Sequence, residues 1–313
     1  MGSIAYTLAK AQSTQKEGQP NQPLLMNSVH QVYLNGEFVP AQSATISVFD
    51  RGFIFGDGVY EVIPAYGGRL FRFTQHMDRL DRSLTAIGLE NPLVRDKWNS
   101  VLLKLISQSD DDQSIYLQVT RGVAARDHSF PDSVDCTVFV YAQPLVTPST
   151  KILQEGVAVI LAKDNRWQRC DIKAVSLLPN VLLRQQATVS GASEALLVRD
   201  GKVTEGAASN VFIVKHGVVV TPPKGPAILP GITRDLIVEL ATENSIPCRE
   251  EDIPVGALRG ADEVWLCSST KEILPVTVLD GTQVGAGQPG PAFERMLQLY
   301  KHYKDEFRAG RRN

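Results

Sequence analysis

Lys173 and Glu205 are the residues whose types and settings could perform chemistry together. Lys173 ends a short polar run and is followed by apolar residues that predict burial. A lysine that reacts as an amine needs partial burial, because burial disfavours its charged form. Glu205 lies among the small residues 206–209, where a carboxylate can approach a flat heterocycle closely. Together they suggest that Lys173 holds pyridoxal phosphate as a Schiff base and that Glu205 meets the pyridine nitrogen.

Each of these two residues also has an ordinary interpretation. Most lysines are solvated, and most glutamates beside a glycine close a turn. For either residue taken singly, that interpretation is the stronger one. A non-catalytic binding or structural protein is therefore an alternative, and the presence of both residues together argues against it.

Five short motifs add to this pair, and they follow one another along the chain. They are CDIK at 170–173, LLPNVLLRQQA at 177–187, TEGAASNVF at 204–212, LPGITRD at 229–235 and SSTKEILPV at 268–276. With these motifs the chain resembles the fold-type IV pyridoxal-phosphate transaminases. Within that family it is most similar to the D-amino-acid transaminases, over roughly residues 30 to 305.

The resemblance implies a two-domain fold of mixed α+β and α/β class. A small α/β domain is expected at 30–145, and a larger cofactor-binding domain with a β-barrel-like core at 155–313. The stretch 146–154 is then an interdomain linker. Residues 1–29 are an N-terminal extension, to which no role is assigned.

The composition limits the partners of the protein. Its 313 residues, 43% of them hydrophobic, are ample for a core. The 32 basic and 34 acidic residues give a net charge of −2, so the charge does not favour nucleic acid or an anionic membrane. No run of about 18 apolar residues occurs, so no membrane span is expected. The partners implied by the resemblance are amino acid and 2-oxo acid substrates.

The four cysteines do not form a CxxC pair, and the five histidines do not cluster with them. A metal site or a disulfide framework is therefore not expected. A reduced, cytoplasmic setting fits this use of cysteine.

Turn residues and hydrophobic periodicity predict the elements that position the chemistry. Asn35-Gly36 and Asp200-Gly201 predict the turns of two hairpins. A further strand is predicted at Ala44–Val48, and a helix from Thr74 to Gly88 with Thr74 as its N-cap. Helices are also predicted at 96–108, 176–190, 229–244 and 292–308, and strands at 114–122, 135–142, 211–214, 218–221 and 263–267.

The predicted helix that begins near Thr233 offers a place for an anion. Backbone N–H groups at a helix start, together with the Thr233 hydroxyl, can cradle a phosphate. Ordinary capping by Thr233 is the alternative. The resemblance favours the phosphate, and it implies that Arg79 and Ser269 bind the same group. The other cofactor contacts that the resemblance implies are Ser209, Asn210, Leu229 and Ile232.

Arg126 and His128 lie two residues apart, so in an extended chain they point the same way. Two cationic donors on one side suit a carboxylate, although an exposed pair without a ligand is the ordinary alternative. This Arg-x-His step followed by Phe-Pro is similar to the carboxylate trap of D-amino-acid transaminases, and branched-chain transaminases generally lack it. The resemblance implies that both residues reach across a homodimer interface, and that Tyr60 faces the same substrate carboxylate.

The activity implied by the resemblance is transamination of D-amino acids, such as D-alanine, D-glutamate or D-aspartate, with 2-oxo acids such as 2-oxoglutarate. Lys173 is the expected acid and base, and the kinetics are expected to be ping-pong. Alternatives on the same scaffold are a branched-chain L-amino-acid transaminase, an (R)-amine transaminase and an aminodeoxychorismate lyase.

Overall fold

The structure, a computed structural model of the chain, describes residues 29–107, 111–133 and 135–312. Nearly all of the predicted extension 1–29, and the predicted helix end at Gln108, lie outside the described residues. Within the described ranges the strands form a six-stranded and a ten-stranded sheet. This confirms the mixed class of fold, whereas the predicted domain boundaries stay a prediction.

The six-stranded sheet lies in the first half of the chain. Its strands are β1 (Gln31–Leu34), β2 (Glu37–Pro40), β3 (Gly58–Tyr66), β4 (Arg69–Leu70), β5 (Gln113–Thr120) and β6 (Thr137–Pro144). They lie in the order β2-β1-β6-β5-β3-β4, and all neighbours are antiparallel. The predicted turn between β1 and β2 is confirmed: Asn35 and Gly36 have φ of 48° and 103°, as the tightest hairpin turns require.

Helices pack on both faces of this sheet. A short 3₁₀ helix at Ala41–Ser43 and α1 (Arg51–Phe55) line a cavity on one face, whereas α2 (Phe73–Ala86) and α3 (Arg95–Ile106) cover the other. The buried residues Met77, Leu80 and Leu84 of α2 recur at helical spacing. They share one core with Trp98 and Leu102 of α3. The positions of α2 and α3 follow from the periodicity of their apolar residues.

The strand predicted at Ala44–Val48 is wrong. These residues follow the 3₁₀ helix without forming a strand, and Ile46 and Val48 are exposed. Their β-branched side chains favour an extended backbone, but a strand also needs a neighbour to pair with, and the 3₁₀ helix turns the chain away from the sheet.

The predicted N-cap of α2 is also wrong. The helix begins at Phe73, and Arg72 stands at the N-cap in a left-handed conformation with φ of 51°. The Arg72 guanidinium donates two hydrogen bonds to the Glu239 carboxylate, at 2.7 and 2.6 Å. Thr74 is thus the second residue of the helix, and the residue at the N-cap makes a tertiary ion pair in place of a local capping hydrogen bond.

The ten-stranded sheet occupies the second half of the chain. Its strands are β7 (Val157–Lys163), β8 (Glu194–Arg199), β9 (Lys202–Gly206), β10 (Asn210–Lys215), β11 (Val218–Thr221), β12 (Cys248–Glu250), β13 (Ile253–Pro254), β14 (Glu263–Ser268), β15 (Glu272–Leu279) and β16 (Thr282–Gln283). The order is β12-β11-β10-β14-β15-β7-β8-β9-β13, with β16 beside β15. Register shifts interrupt the β15–β7 and β8–β9 pairs, and such bulges increase local twist. The sheet curls into a half-barrel, as the sequence predicts.

The helices of this half are α4 (Thr150–Glu155), α5 (Leu178–Val189), α6 (Ile232–Glu243), α7 (Val255–Arg259) and α8 (Pro291–Arg308). The helices predicted at 176–190, 229–244 and 292–308 are thus confirmed to within a few residues. α5 connects the parallel strands β7 and β8, and α6 lies between the parallel strands β11 and β12. Among the described residues, no helix is both long and apolar enough to cross a membrane.

The two sheets are joined by a shared aromatic core. Tyr66 and Phe71, beside β4, pack in one cluster with Trp265 of β14 and with Phe293 and Phe307 of α8. The segment between β7 and α5 runs from the large sheet to the edge of the small one. That crossing segment carries Lys173.

Candidate active site

The backbone around Lys173 is fixed against the start of β3. Tyr60 N donates to Lys173 O at 3.0 Å, and the two residues that follow Lys173 continue this pairing. Lys173 N donates to Ser83 Oγ of α2 at 3.3 Å. The half-buried side chain brings its Nζ to 4.0 Å from the centroid of the Tyr60 ring. Lys173 therefore has the partial burial that a reactive amine needs.

A cavity of about 740 Å³ opens where β3, the segment 166–177 and the ends of β9 and β14 meet. Most of the residues predicted for the site line this cavity, although they come from distant parts of the chain. They are Tyr60, Arg79, Lys173, Glu205, Ser209, Asn210, Leu229, Ile232, Thr233 and Ser269.

Successive side chains of β3 lie in two different environments. Tyr60 and Val62 line the cavity, whereas Glu61 between them is fully buried on the other side. A strand places successive side chains on opposite faces, so this separation follows from the backbone. The Tyr60 ring stacks on Tyr116 of β5 at a centroid distance of 5.6 Å, which holds the ring at the cavity wall.

Glu205, at the end of β9, is buried with only 4% of its surface exposed. Arg166 Nη1 donates to Glu205 Oε1 at 2.5 Å. Asn210 Nδ2 and Leu229 N donate to Oε2 at 3.2 and 3.0 Å. Burial raises the pKa of Glu205 to about 7, and the Arg166 guanidinium and the Leu229 N–H oppose that rise.

Sequence reasoning missed Arg166, which holds Glu205 in place. The Arg166 guanidinium also binds Asp164 through two hydrogen bonds, Nε to Oδ1 at 2.9 Å and Nη2 to Oδ2 at 3.0 Å. The Arg166 side chain is 5% exposed and lines the cavity. The sequence signal was an Asp and an Arg two residues apart just before the lysine motif. That spacing did not reveal their third partner, because Glu205 lies on a strand about forty residues further along the chain.

The start of α6 forms the opposite part of the cavity. Gly231 is the N-cap, and no side chain caps the helix. The first N–H groups of a helix have no acceptor within the helix. In α6 this first turn contains Gly231, Ile232 and Thr233, and all three line the cavity. Capping by Thr233, the ordinary alternative, is not what the structure has.

Arg79 joins this end of the cavity through a buried ion pair. Its Nε and Nη2 donate to the two oxygens of Glu61 at 2.6 and 2.8 Å, and its Nη1 donates to Pro230 O at 3.0 Å. The guanidinium has five N–H donors, so donors on Nη1 and Nη2 remain. Arg79 is therefore oriented by Glu61 beside the start of α6.

His76 is a further buried member of this network that the sequence did not reveal. His76 Nδ1 lies 2.8 Å from Glu61 Oε2. Burial lowers the pKa of His76, which favours its neutral form. Burial opposes ionisation of Glu61, but Arg79 and His76 hold its pKa well below the ordinary value. The Glu61 carboxylate thus holds two side chains of α2, His76 and Arg79.

Ser209 and Asn210 line the cavity but have protein partners of their own. Ser209 Oγ donates to Glu194 Oε2 at 3.2 Å. Asn210 Nδ2 donates to Leu229 O at 2.9 Å as well as to Glu205. Asn210 therefore orients the glutamate, and the Ser209 hydroxyl connects the loop after β9 to Glu194.

The donors and acceptors of the cavity fit pyridoxal phosphate. A carboxylate held by hydrogen-bond donors suits a protonated ring nitrogen. Glu205 is such a carboxylate, with Arg166, Asn210 and Leu229 N–H as its donors. An uncapped helix start with an adjacent guanidinium suits a phosphate, and α6 with Arg79 provides both. The amine of Lys173 lies on the wall of the same cavity. The three groups were predicted from separate motifs, and the fold brings them together.

Arg126 and His128 do not line this cavity. Both are exposed, in the loop between β5 and β6. Each lies beside Phe55 of α1: the Arg126 Cζ is 5.5 Å and the His128 ring 5.4 Å from the centroid of the Phe55 ring. Within the described chain, the two predicted trap residues share a surface with each other and not with Lys173.

A buried charge network supports the loop that carries them. Arg51 Nη1 donates to Asp127 O at 2.6 Å and to Ser129 O at 3.3 Å. Asp57 accepts hydrogen bonds from the Nε of Arg51 and from the Nε of Arg121, both at 2.8 Å. Burial opposes ionisation of Asp57, but the two arginines lower its pKa. The loop backbone is thus anchored at the middle residue of the Arg-x-His step and at the residue directly after it.

Among the residues that the structure describes, no three His, Cys, Asp or Glu side chains lie together as a metal site would require.

Comparison with known proteins places these residues in a family context. Residues 58–279 match the protein family described as amino-transferase class IV. D-alanine aminotransferase from Bacillus licheniformis is 42% identical over 261 residues, which cover 83% of this chain and 92% of that enzyme.

Solved structures share the fold at lower identity. The branched-chain amino acid aminotransferase of Escherichia coli superposes with a TM-score of 0.83 at 28% identity, covering 91% of this chain and 96% of that chain. The T.th. branched-chain amino acid aminotransferase, solved with pyridoxamine 5′-phosphate, has a TM-score of 0.82 at 25% identity and covers 91% and 95% of the two chains. These similarities confirm the fold predicted from the sequence motifs.

Proposed function

We propose that this chain, which belongs to the class IV aminotransferase family, transfers the amino group of D-amino acids such as D-alanine, D-glutamate or D-aspartate to 2-oxo acids such as 2-oxoglutarate. The observation that carries the proposal is the convergence of Lys173, Glu205 and Tyr60 on one cavity. Relatives about 40% identical over most of the chain are D-alanine aminotransferases, which supports D-amino acids as the donors.

Class IV aminotransferases use pyridoxal 5′-phosphate, which supplies an electron sink for the charge that develops at the substrate Cα. In this chain Lys173 is the residue that would hold it covalently. Glu205 would accept a hydrogen bond from the ring nitrogen, with Asn210 and Leu229 keeping the carboxylate in place. The phosphate would lie at Ile232 and Thr233 of α6, with Arg79 and Ser269 beside it.

Lys173 is the proposed acid and base. As a free amine its Nζ accepts the proton from the substrate Cα, and as an ammonium it returns that proton. The amine lies over the Tyr60 ring, and the backbone hydrogen bonds to β3 and α2 fix where it can reach. A base held in one place removes a proton from one face of the substrate only, so the orientation of the substrate decides which enantiomer reacts.

The orientation of the substrate is proposed to depend on Tyr60, Arg126 and His128 as carboxylate ligands. Arg126 and His128 are exposed and lie outside the cavity of their own chain. We therefore propose a homodimer in which they reach the partner's site. The apolar side chains of Phe53, Val123 and Phe130, which are exposed around them, support an interface on this face. A cytoplasmic location stays a prediction from the sequence.

A panel of amino donors tests the proposed function. The purified protein, loaded with pyridoxal phosphate, is given D-alanine, D-aspartate, L-leucine or L-valine with 2-oxoglutarate, and the new 2-oxo acid is measured. We expect turnover with the D-amino acids and little with the L-amino acids. Turnover with the branched-chain L-amino acids alone would contradict the proposal. It would indicate instead the activity of the solved branched-chain enzymes, whose fold this chain shares.

A further inference from the structure

One wall of the cavity carries a positive charge that the proposed reaction does not use. Arg184 of α5 lines the cavity, and its side chain is 42% exposed. Asn180, one helical turn earlier, lines it too and donates to Ala207 O at 2.8 Å. Residues four apart lie on one face of a helix, so Asn180 and Arg184 leave the helix towards the same side.

The Arg184 guanidinium is incompletely satisfied. Its Nη1 lies 3.7 Å from Glu194 Oε1, which is beyond hydrogen-bond distance. That nitrogen is buried and has no hydrogen-bond partner among the described residues. A buried donor without an acceptor is destabilising, so a ligand that supplied an acceptor would be favoured here.

A second cation lies beside the same carboxylate. Lys271, at the end of the turn that carries Ser269 and Thr270, brings its Nζ to 2.8 Å from Glu194 Oε2. Glu194 is fully buried, and the Lys271 side chain is 28% exposed. Two cations against one carboxylate leave one positive charge unbalanced at this wall.

The charged cluster lies close to the predicted chemistry. A Cβ on Gly206, the residue after Glu205, would stand 3.2 Å from Glu194 Cγ, so Glu194 packs directly behind the loop that follows β9. Ala207 and Ala208 of that loop line the cavity without polar side-chain atoms. A polar group of a substrate on this side therefore meets Arg184 and the turn before Lys271.

We propose that Arg184, supported by Lys271, binds the distal carboxylate of a dicarboxylic substrate, so that D-glutamate, D-aspartate and 2-oxoglutarate are preferred over uncharged substrates of similar size. This inference rests on the proposed function, because it assigns the side-chain end of the same substrate. The planar guanidinium can donate hydrogen bonds to both oxygens of a carboxylate, whereas an amide offers it a single neutral oxygen. Glu194 pairs with Lys271 and lies 3.7 Å from Arg184, so it offsets part of the positive charge when the substrate is absent.

The test compares substrates that differ only at the distal group. For wild type and R184Q, kcat/KM is measured with D-glutamate and D-glutamine, with pyruvate as the common acceptor. We expect the ratio of the two kcat/KM values to favour D-glutamate in wild type and to fall about tenfold or more in R184Q. R184K keeps the positive charge but lacks the planar guanidinium. Its ratio should therefore lie between those of wild type and R184Q. R249Q is the matched control, because Arg249 lies on β12 at the far edge of the sheet and is 63% exposed. An unchanged ratio in R184Q would overturn the proposal.

A binding measurement separates this inference from the proposed function. Glutarate and butyrate have no amino group, so they report the distal carboxylate without turnover. By calorimetry on the loaded enzyme, glutarate should bind more tightly than butyrate, and R184Q should remove most of that difference. If no D-amino acid reacts but Arg184 still distinguishes glutarate from butyrate, the proposed function fails and the carboxylate site stands. If D-amino acids react and R184Q leaves the difference between glutarate and butyrate intact, only the carboxylate site fails.

Discussion

Glu205 shows how burial and hydrogen bonding oppose each other at a single residue. Removing the carboxylate from water favours its neutral form, while Arg166, Asn210 and Leu229 N–H favour the anion. Burial prevails in the protein alone and raises the pKa of Glu205 to about 7. A cationic ring nitrogen would add a positive charge beside Glu205 and would favour the carboxylate anion. The site is thus completed electrostatically only when the cofactor is bound.

This balance predicts a pH-dependent effect of E205Q on the stability of the cofactor-free protein. A pKa raised from the ordinary 4.5 to about 7 stabilises the folded state below pH 4.5 and loses that contribution as pH rises through 7. Glutamine cannot ionise, so the stability of E205Q should not include this pH-dependent loss. Between pH 5 and pH 8, the difference in the free energy of unfolding should move in favour of E205Q by up to about 3 kcal/mol. Urea unfolding at both pH values measures it.

The appropriate control for E205Q is E243Q. Glu243 is an exposed residue at the end of α6 that pairs with Arg312, so its loss should leave the pH dependence as in wild type. If E205Q and wild type differ by the same amount at pH 5 and pH 8, Glu205 titrates like an exposed glutamate and the argument from burial is wrong.

At the scale of elements, α1 and the loop between β5 and β6 behave as one unit. Asp50 caps α1 by accepting from Gly52 N at 2.7 Å. Asp57, just after the helix, holds Arg51 and Arg121, and Arg51 in turn holds the loop carbonyls. The proposed trap residues are therefore positioned by buried charges that do not touch substrate. Asp57 is the member of this network on which both arginines depend.

We predict that D57N weakens substrate binding more than catalysis. An amide cannot accept charge-assisted hydrogen bonds from two guanidinium groups, and the loss of each such bond costs about 1.5–3 kcal/mol. The loop would then shift, and KM for D-alanine should rise about tenfold or more, with kcat reduced by less. The free energy of unfolding should also fall, by somewhat less than the about 3–5 kcal/mol of a fully buried pair, because Asp57 is partly exposed. Steady-state kinetics and urea unfolding measure these changes.

D252N is the matched control for this loop prediction. Asp252 forms an exposed ion pair with Lys202, and such pairs contribute only about 0–1 kcal/mol. Both KM and stability should stay near wild type. A larger loss of kcat than of substrate binding in D57N would mean that the network acts on the chemistry itself.

At the scale of the molecule, the two sheets assemble one cavity, and the proposed site needs a second chain to complete it. The cavity contains the amine, the carboxylate and the helix start. The Arg126 and His128 side chains of the β5–β6 loop are exposed outside this cavity. A two-fold dimer uses the same surface on both subunits, so each chain would complete the site of the other.

Complementation between variants tests this arrangement. K173A alone and R126A alone should each have very low activity with D-alanine. When the two are mixed and their subunits exchange, one site of each mixed dimer regains both Lys173 and Arg126. Random exchange makes half of the dimers mixed, so activity should reach about one quarter of wild type. The gain is measured as turnover after mixing, with exchange followed by differently tagged subunits.

A mixture of K173A with the double variant K173A/R126A is the control, since none of its sites contains Lys173. It should gain no activity. If subunits exchange and the K173A and R126A mixture also gains none, Arg126 acts within its own chain and the proposed interface is wrong.

The structure brings together most of the residues predicted for the site, and their contacts with cofactor and substrate stay a prediction. Ten of the twelve predicted residues line one cavity, and Arg126 and His128 lie outside it. The motifs pointed to residues that share this cavity. They did not identify Arg166 or Glu61, because these residues act through partners on other elements. They did not single out Arg184 either, because only the folded structure places it on the cavity wall.

The sequence by itself determined the local structure and the types of residues available for chemistry. The hairpin turns at Asn35-Gly36 and Asp200-Gly201 and the apolar faces of α2 and α3 follow from short-range geometry, which neighbouring residues dictate. Only the tertiary structure decided which charges meet. Arg72 at the start of α2 meets Glu239 of α6, and Arg166, in the segment after β7, meets Glu205 of β9. Ion pairs between distant segments carry no periodicity along the chain, so only the folded structure reveals them.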